Sequence, residues 1–432
     1  MSHAPGGLLA TLPRYQSSAR LESSIWRLGP PGLEPEAVAA LLRHALPPGS
    51  SVFRGVYRVP GPLPRVRRAT GSDTPEDRLA ELLLASLAHG VREHVTAGTV
   101  DVSLSGGVDS AALCAMAARQ APGRVLAWTM NVHFADAAER RNARAVADAT
   151  GVELVDIAIP DAVLPELFER AVLSQETAIL NARAVASFAF YAEARRQGAS
   201  TLLSGAGADE VLMGNPDARV LAAARVTEDR RMAREVLHPW AVDNLGVDQR
   251  AHALPWDLGA GPGEEDHPEE VRYAAWVLRE LVLPPELRSA AAHGLSVRTP
   301  YLDTGFAEVA LGLPSAVLAR QGAGKWLFRH AVRSLVPDEV RLARKTPRYA
   351  HTALSSPVRE RWLALYREWL TPARLAPLQV VDPVATRGAL ERYARLAPEA
   401  HEASAMDRLL MRLCSLAMLH AHALARPPCP ES

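Results

Sequence analysis

Apolar residues recur with two alternating periods between residues 76 and 204. At Gly98-Thr99-Val100-Asp101-Val102 they alternate, the period-two signature of a strand. Val125-Leu126-Ala127-Trp128-Thr129-Met130, residues 152–157 and residues 200–204 predict three more strands. Between these runs the spacing turns helical and predicts helices over 110–120, 136–149, 162–174 and 183–197, the second stopped at Thr150-Gly151. A further helix precedes the first strand. Leu79, Leu82, Leu83, Leu84 and Leu87 form its apolar stripe, with Thr74 placed to cap it and Pro75 at its first position. Strands separated by helices imply parallel pairing and a doubly wound α/β sheet. Ligands of such sheets sit beyond the carboxyl ends of the strands.

Beyond residue 215 the strand signal fades. Residues 220–236, 268–282, 305–336, 357–370 and 386–425 read as helical. The acidic stretch 263–270 reads as a solvated loop or helix start. Residues 1–75 are rich in proline, glycine and arginine, with a strand-like 51–57 and a short helix around 35–45. The expected organisation is a small N-terminal appendage over 1–75, then one body over 76–426. That body divides into an α/β core over 76–215 and a mostly helical part over 216–426.

Composition narrows the classes. In 432 residues, 48 Lys+Arg balance 48 Asp+Glu, so no basic surplus points to nucleic acid as a bulk partner. The three cysteines, Cys114, Cys414 and Cys429, form no C-x-x-C pair, which argues against a disulfide framework and a cysteine zinc site. No basic-then-apolar leader opens the chain and no run of about twenty apolar residues occurs. A cytoplasmic enzyme without membrane association is the expectation.

Candidate chemistry lies at two strand ends. Residues 103–110 read Ser103-Leu104-Ser105-Gly106-Gly107-Val108-Asp109-Ser110, a strand, a glycine pair and a helix start. The glycines let backbone approach a polyanion, and the new helix offers its free N–H groups and positive end. The G-x-x-x-x-G-K spacing of a Walker loop is absent. Ser105 and Ser110 add hydroxyl donors. Asp109 has no reason to face a bare phosphate, so it is expected to hold a cation that does. The second strand end reads Leu203-Ser204-Gly205-Ala206-Gly207-Ala208-Asp209-Glu210, with Gly214 following. Asp209-Glu210 alone is ordinary helix-start chemistry. With Asp109 at the end of another strand of the same sheet, Asp209 suits an ATP-bound Mg²⁺. Two later segments complete the set: 294–303, holding Arg298-Thr299-Pro300-Tyr301-Leu302-Asp303, and Gly324-Lys325 followed by Arg344-Lys345-Thr346-Pro347. Singly, such lysines and arginines are solvated charges.

In this order the four motifs resemble the synthetase domain of the asparagine synthetase family, which includes β-lactam synthetases and lasso-peptide macrolactam cyclases. The resemblance covers about residues 76–425. It implies an ATP pyrophosphatase (PP-loop) type of sheet and a ligase in which a carboxylate attacks the α-phosphorus of ATP. An acyl-adenylate and pyrophosphate form, and an amine then displaces AMP. Ser103, Ser105, Gly106, Gly107, Asp109 and Ser110, with Gly205 and Gly207, would bind the nucleotide. Asp109 and Asp209 would hold Mg²⁺. Lys325 would contact the phosphates, and Lys345 would stabilise charge developing in adenylation and amide formation. Glu176, Glu210 and Arg298 are candidate substrate-lining residues.

The chain departs from the family in three places. Residue 2 is serine, no early cysteine exists, and 1–75 is far shorter than a glutaminase domain. A free amine is therefore the expected nucleophile instead of glutamine. Ala206 stands where asparagine synthetases carry a glutamate and β-lactam synthetases a tyrosine, and alanine neither binds an amine nor relays a proton. Gln175-Glu176-Thr177 replaces the more usual Asp-Glu-Pro. The expected substrates are small-molecule or peptide carboxylates and amines, in specialised biosynthesis such as lasso-type macrolactam closure, with a leader-peptide-binding protein as partner in that case. Amidation by ammonia is the alternative within the class. A tRNA-modifying enzyme and a non-catalytic nucleotide-binding protein are the alternatives outside it. His420 and His422, at i and i+2, do not share a helical face. Trp326 and Phe328 are read as packing residues and Cys114 as a buried thiol, while His293, just before the third motif, stands where it could face the substrate.

Overall fold

A computed structural model describes residues 12–17, 20–47, 49–59, 68–69, 71–95, 98–243, 250–258, 267–343 and 352–425. Five parallel strands form the central sheet in the order β6-β5-β4-β7-β8. They are β4 (Val100–Ser103), β5 (Val125–Asn131), β6 (Glu153–Ala158), β7 (Thr201–Leu203) and β8 (Ser296–Arg298). The first four coincide with the expected strands, and β8 is new. Three residues inside the third motif are too short a run to show a period, and β8 exists because it extends the edge of β7 in register, Leu202 opposite Val297.

The crossover helices follow the expected order: α3 (Val108–Gln120), α4 (Ala137–Thr150), α5 (Val163–Gln175) and α6 (Ala182–Arg196). Local chemistry sets their ends. Asp136 accepts the N–H of Ala138 at 2.7 Å to start α4, and Gly151 ends it with φ 66°. Asn181 caps α6 through the N–H of Arg183 at 3.1 Å. The expected Thr74 cap does not form. The preceding helix α2 (Glu76–His94) begins one residue late, and Pro75 holds the N-cap without a side-chain bond. Its stripe is also narrower than expected. Leu79, Leu83 and Leu87 are buried while Leu82 is 51% exposed, because successive residues turn by about 100° around a helix.

The N-terminal residues form an antiparallel sheet, β1 (Arg14–Ser17) with β2 (Arg20–Glu22) on one side and β3 (Tyr57–Val59) on the other. Helix α1 (Pro35–Leu42) lies between them in sequence. The strand expected over 51–57 is displaced to β3, and Ser50 and Phe53 make only isolated bridges. Two cores hold the molecule. One gathers Ile25, Val38, Leu42 and Phe53 with α5, α6 and the 23-residue helix Ala403–Ala425. The other packs α2, α3 and the β4–β7 pair against Tyr301, Leu302, Phe306 and Phe328. Residues 263–266 of the acidic stretch lie outside the described residues, while Glu269 and Glu270 open the helix Glu269–Val277 and pair with Arg219. That helix runs into two π turns, Leu278–Val282 and Pro284–Arg288. Pro284 supplies no N–H, so the α ladder slips there. Among the described residues, no helix is long and apolar enough to cross a membrane.

Candidate active site

The chain runs β4, β5, β6 toward one edge of the sheet and returns to β7 on the other side of β4. The reversal lies between β4 and β7, the place where open parallel sheets form a crevice. Both glycine-bearing motifs leave from there. Gly106 is buried, with φ 84°, and a Cβ at this position would run into the Glu139 carbonyl of α4. Only glycine fits. The Ser110 hydroxyl accepts the N–H of Ser105 and donates to the Gly107 carbonyl, both at 3.1 Å, closing the loop on itself. The Ala111 N–H bonds to that same carbonyl at 3.0 Å and begins the helical ladder. The N–H groups of the preceding turn have no intrahelical acceptor, which makes an anion seat at the positive end of α3. Ser105 at the loop tip is exposed, and Ser103 is half-buried at the strand end.

The second loop leads into α7 (Ala208–Val211) and backs onto the first. A Cβ on Gly205 would lie 3.3 Å from both the Asp109 Cβ and the Ser110 nitrogen. Gly207, with φ 90°, is pressed against Leu302 of the third motif. Gly214 abuts the Asp209 carboxylate, and Gly324 abuts the Met213 and Gly214 carbonyls. That last contact sets the position of Lys325, which has a left-handed φ of 58° at the start of the helix Trp326–Ala331. Its Nζ lies 2.5 Å from Asp109 Oδ2 and 2.6 Å from Asp209 Oδ1. The lysine side chain is 3% exposed and the two carboxylates 18% and 31%. The third motif joins the same assembly: the Tyr301 hydroxyl donates to the Asp109 carbonyl at 2.9 Å, and the Arg298 carbonyl accepts the Ser204 N–H at 2.8 Å.

Carboxylates outnumber the ammonium here. Asp109 Oδ1 is buried and has no hydrogen-bond partner among the described residues. An orphaned carboxylate oxygen beside a second carboxylate suits a hard cation with oxygen ligands. Among the described residues no three His, Cys, Asp or Glu side chains cluster as a metal cage. Two carboxylates fit Mg²⁺, which takes one or two from a protein and completes its shell with water and phosphate. Glu210 is half-buried, and burial raises its carboxyl above the ordinary range; the Lys325 ammonium pulls it down and Asp109 pushes it further up.

The remaining candidates stand as follows. Lys345 lies outside the described residues. Glu176 is buried at the end of α5, where it accepts from the Ser24 hydroxyl, from the Ile25 N–H at 3.2 Å and from Arg288 Nη1 at 2.5 Å. Its bonds run to the N-terminal segment and to Arg288, and it takes no part in the Asp109–Lys325–Asp209 cluster. His420 Nδ1 accepts the Leu33 N–H at 3.1 Å, the His293 ring lies tilted at 56° against Phe188, and Phe328 is fully buried. Cys114 is buried with its thiol pushed up to about 11 by burial, an inert state. The Tyr301 hydroxyl reaches Asp109 only through the tertiary fold, and nothing in its spacing along the sequence announces this.

Comparison with known proteins agrees with the motifs. A family model described as asparagine synthase matches residues 78–421. A chicken (Gallus gallus) asparagine synthetase [glutamine-hydrolyzing] is 30% identical over 147 residues, covering 33% of this chain and 24% of that enzyme. The chain thus spans about a quarter of the length of that relative. Among solved structures, an NH3-dependent NAD synthetase from Campylobacter jejuni matches at 18% identity and TM-score 0.24, over 33% of this chain and 61% of that one. An NMN synthetase from Francisella tularensis matches at 21% identity and TM-score 0.24, over 33% and 59%. Likenesses this slight add nothing to the sheet order described above.

Proposed function

The chain belongs to the asparagine synthase family, and from that premise we propose that it is an ATP-dependent ligase joining a carboxylate to a free amine. A carboxylate oxygen attacks the α-phosphorus of ATP, the bond to the β-phosphate oxygen breaks, and acyl-adenylate and pyrophosphate result. The amine nitrogen then attacks the acyl carbon, loses a proton, and AMP leaves with the bonding electrons. The observation that carries this reading is the convergence of Asp109 and Asp209, from two adjacent strand ends, on the buried Lys325 ammonium.

Each residue has a definite task. The loop amides at the start of α3 bind the departing pyrophosphate. Asp109 and Asp209 would hold Mg²⁺, which supplies neutralisation of the phosphate charge. Lys325 adds fixed positive charge, and Lys345 stabilises the charge that grows during adenylation and amide formation. Phosphoryl-type transfer is mostly positioning and charge neutralisation, so this set supplies what the chemistry needs. Ala206 leaves its position without an acid–base group. Glu210, next to Asp209 in the same motif, is a candidate to line the substrate. Acid and amine on one peptide, closed as a macrolactam in the manner of lasso-peptide cyclases, is the version we favour, and a leader-peptide-binding protein is its expected partner. Amidation by ammonia is the alternative.

ATP–pyrophosphate exchange over a panel of carboxylates, with amine omitted, tests the reading. Exchange with some of them is expected, followed by AMP release once amine is added. Lys345→Ala should bind ATP and lose exchange. ADP and phosphate as products, or full exchange in Lys345→Ala, would overturn the corresponding assignment.

A further inference from the structure

A cavity open to solvent lies between the N-terminal residues and the helical half. Helix Glu269–Val277 packs against α7, the carrier of Asp209 and Glu210, and also contributes Arg272 and Trp276 to the cavity wall. On another side Thr177, Ala178 and Leu180 form the wall and lead into α6, whose Arg183 exerts its charge on Glu210. Helix Glu269–Val277 thus joins the cavity wall to the helix that carries Asp209 and Glu210.

The wall is firmly built. Arg58 of β3 grips Glu280 with both terminal nitrogens, at 3.1 and 2.5 Å. Arg272 is fixed by Asp257 at 2.7 Å and by the His267 carbonyl at 2.6 Å. His44 and Arg412 share the buried Asp229, His44 at 3.0 Å, and Arg408 anchors that carboxylate from behind at 2.6 Å. Arg58, Arg272, Arg279 and Arg412 line the cavity, with one carboxylate, Glu280, in the same wall. Their other partners, Asp257 and Asp229, stand outside the wall. Such a hollow focuses positive potential. Its apolar side is aromatic. The indoles of Trp256 and Trp276 lie 5.4 Å apart at 53°, and Tyr273 meets Trp256 edge-on at 4.9 Å. Trp276 is only half-buried, which leaves part of a large flat ring uncovered beside the arginines.

We infer that this cavity seats a substrate with a flat, aromatic body and an anionic group, the ring against Trp276 and the anion toward the guanidiniums. Its role as a substrate seat rests on the ligase reading; its capacity to bind does not. Leu41, His44, Leu46 and Arg58 all come from residues 41–58, so the N-terminal segment determines specificity by supplying one wall of the site.

Isothermal titration of the full chain without ATP tests this with three probes. Indole-3-propionate carries ring and charge, indole-3-propionamide the ring alone, and propionate the charge alone. The first should bind about tenfold or more tightly than either other, the scale of one aromatic contact or one charge contact. Trp276→Ala should weaken indole-3-propionate about tenfold and Trp276→Phe should retain most of the binding, with melting curves reporting that each variant folds. No binding of indole-3-propionate, equal binding of its amide, or unchanged binding in Trp276→Ala would overturn the inference. The comparison among probes on the wild-type chain stands even if a variant fails to fold. Absent exchange activity leaves these titrations untouched, and absent binding leaves the ligase reading untouched.

Discussion

Replacing Lys325 with methionine keeps the stem and removes the charge that joins two motifs. Nζ sits 2.5 and 2.6 Å from two carboxylates, and the lysine is 3% exposed. Each contact is worth about 6 kcal/mol gross at an effective dielectric constant of about 20, most of it offset by desolvation of the ammonium. Breaking a buried pair by removing one partner costs about 3–5 kcal/mol; the partial exposure of Asp109 and Asp209 lowers this to about 2–4 kcal/mol. The variant then holds two carboxylates facing an empty position. Mg²⁺ bound there should return about 1.4 kcal/mol at tenfold over its Kd, an effect smaller in the wild type, where the ammonium shares the two carboxylates with the ion. Urea unfolding of both proteins with and without MgCl₂ measures this difference. ATP–pyrophosphate exchange should fall about 100-fold or more in the variant. Equal stabilisation of both proteins by Mg²⁺, or no loss of stability in Lys325→Met, would refute the argument that the two aspartates share one cation position.

Three further substitutions probe separate parts of the structure. Gly106→Ala places a Cβ against the Glu139 carbonyl at φ 84°; it should cost about 2 kcal/mol or more in a thermal melt and abolish nucleotide binding in a titration with ATP. Glu176→Gln leaves the buried Arg288 guanidinium without its counter-charge; a loss of about 3–4 kcal/mol is expected, with protease cleavage appearing first within residues 12–59. Asp407 is buried and receives hydrogen bonds from Tyr366, Tyr393 and the Ala353 N–H; burial outweighs them and raises its carboxyl to about 6. The folded chain then keeps this proton up to about pH 6 and the unfolded chain only to about pH 4, so the stabilisation is complete below about pH 4 and lost as pH rises through 6. The change is worth about 3 kcal/mol, and the stability of wild type relative to Asp407→Asn in urea should fall across that window; a difference independent of pH would reject the shift.

Much of the α/β core was legible because its signals are local. Hydrophobic period, Asp136 and Gly151 at the ends of α4, and Asn181 at the start of α6 act over a few residues. They place β4 to β7 close to where patterning puts them. The two glycine loops were legible for the same reason, since a strand, a tight turn and a helix start are written in consecutive residues. Other features depend on partners far along the chain. Strand β8 is three residues long and exists through pairing with β7. Glu176 is explained by Ser24 and Arg288, over a hundred residues away on either side, and no helical or strand period records such a contact. The sequence by itself determined the succession of β4 to β7 with their helices, the two glycine turns and the charged groups beside them. The tertiary structure alone decided that Lys325 bridges Asp109 and Asp209, that Tyr301 braces the first loop, and that residues 41–58 wall a cationic, aromatic cavity. Local patterning sets which backbone forms; only packing sets which distant side chains share a dielectric and a charge.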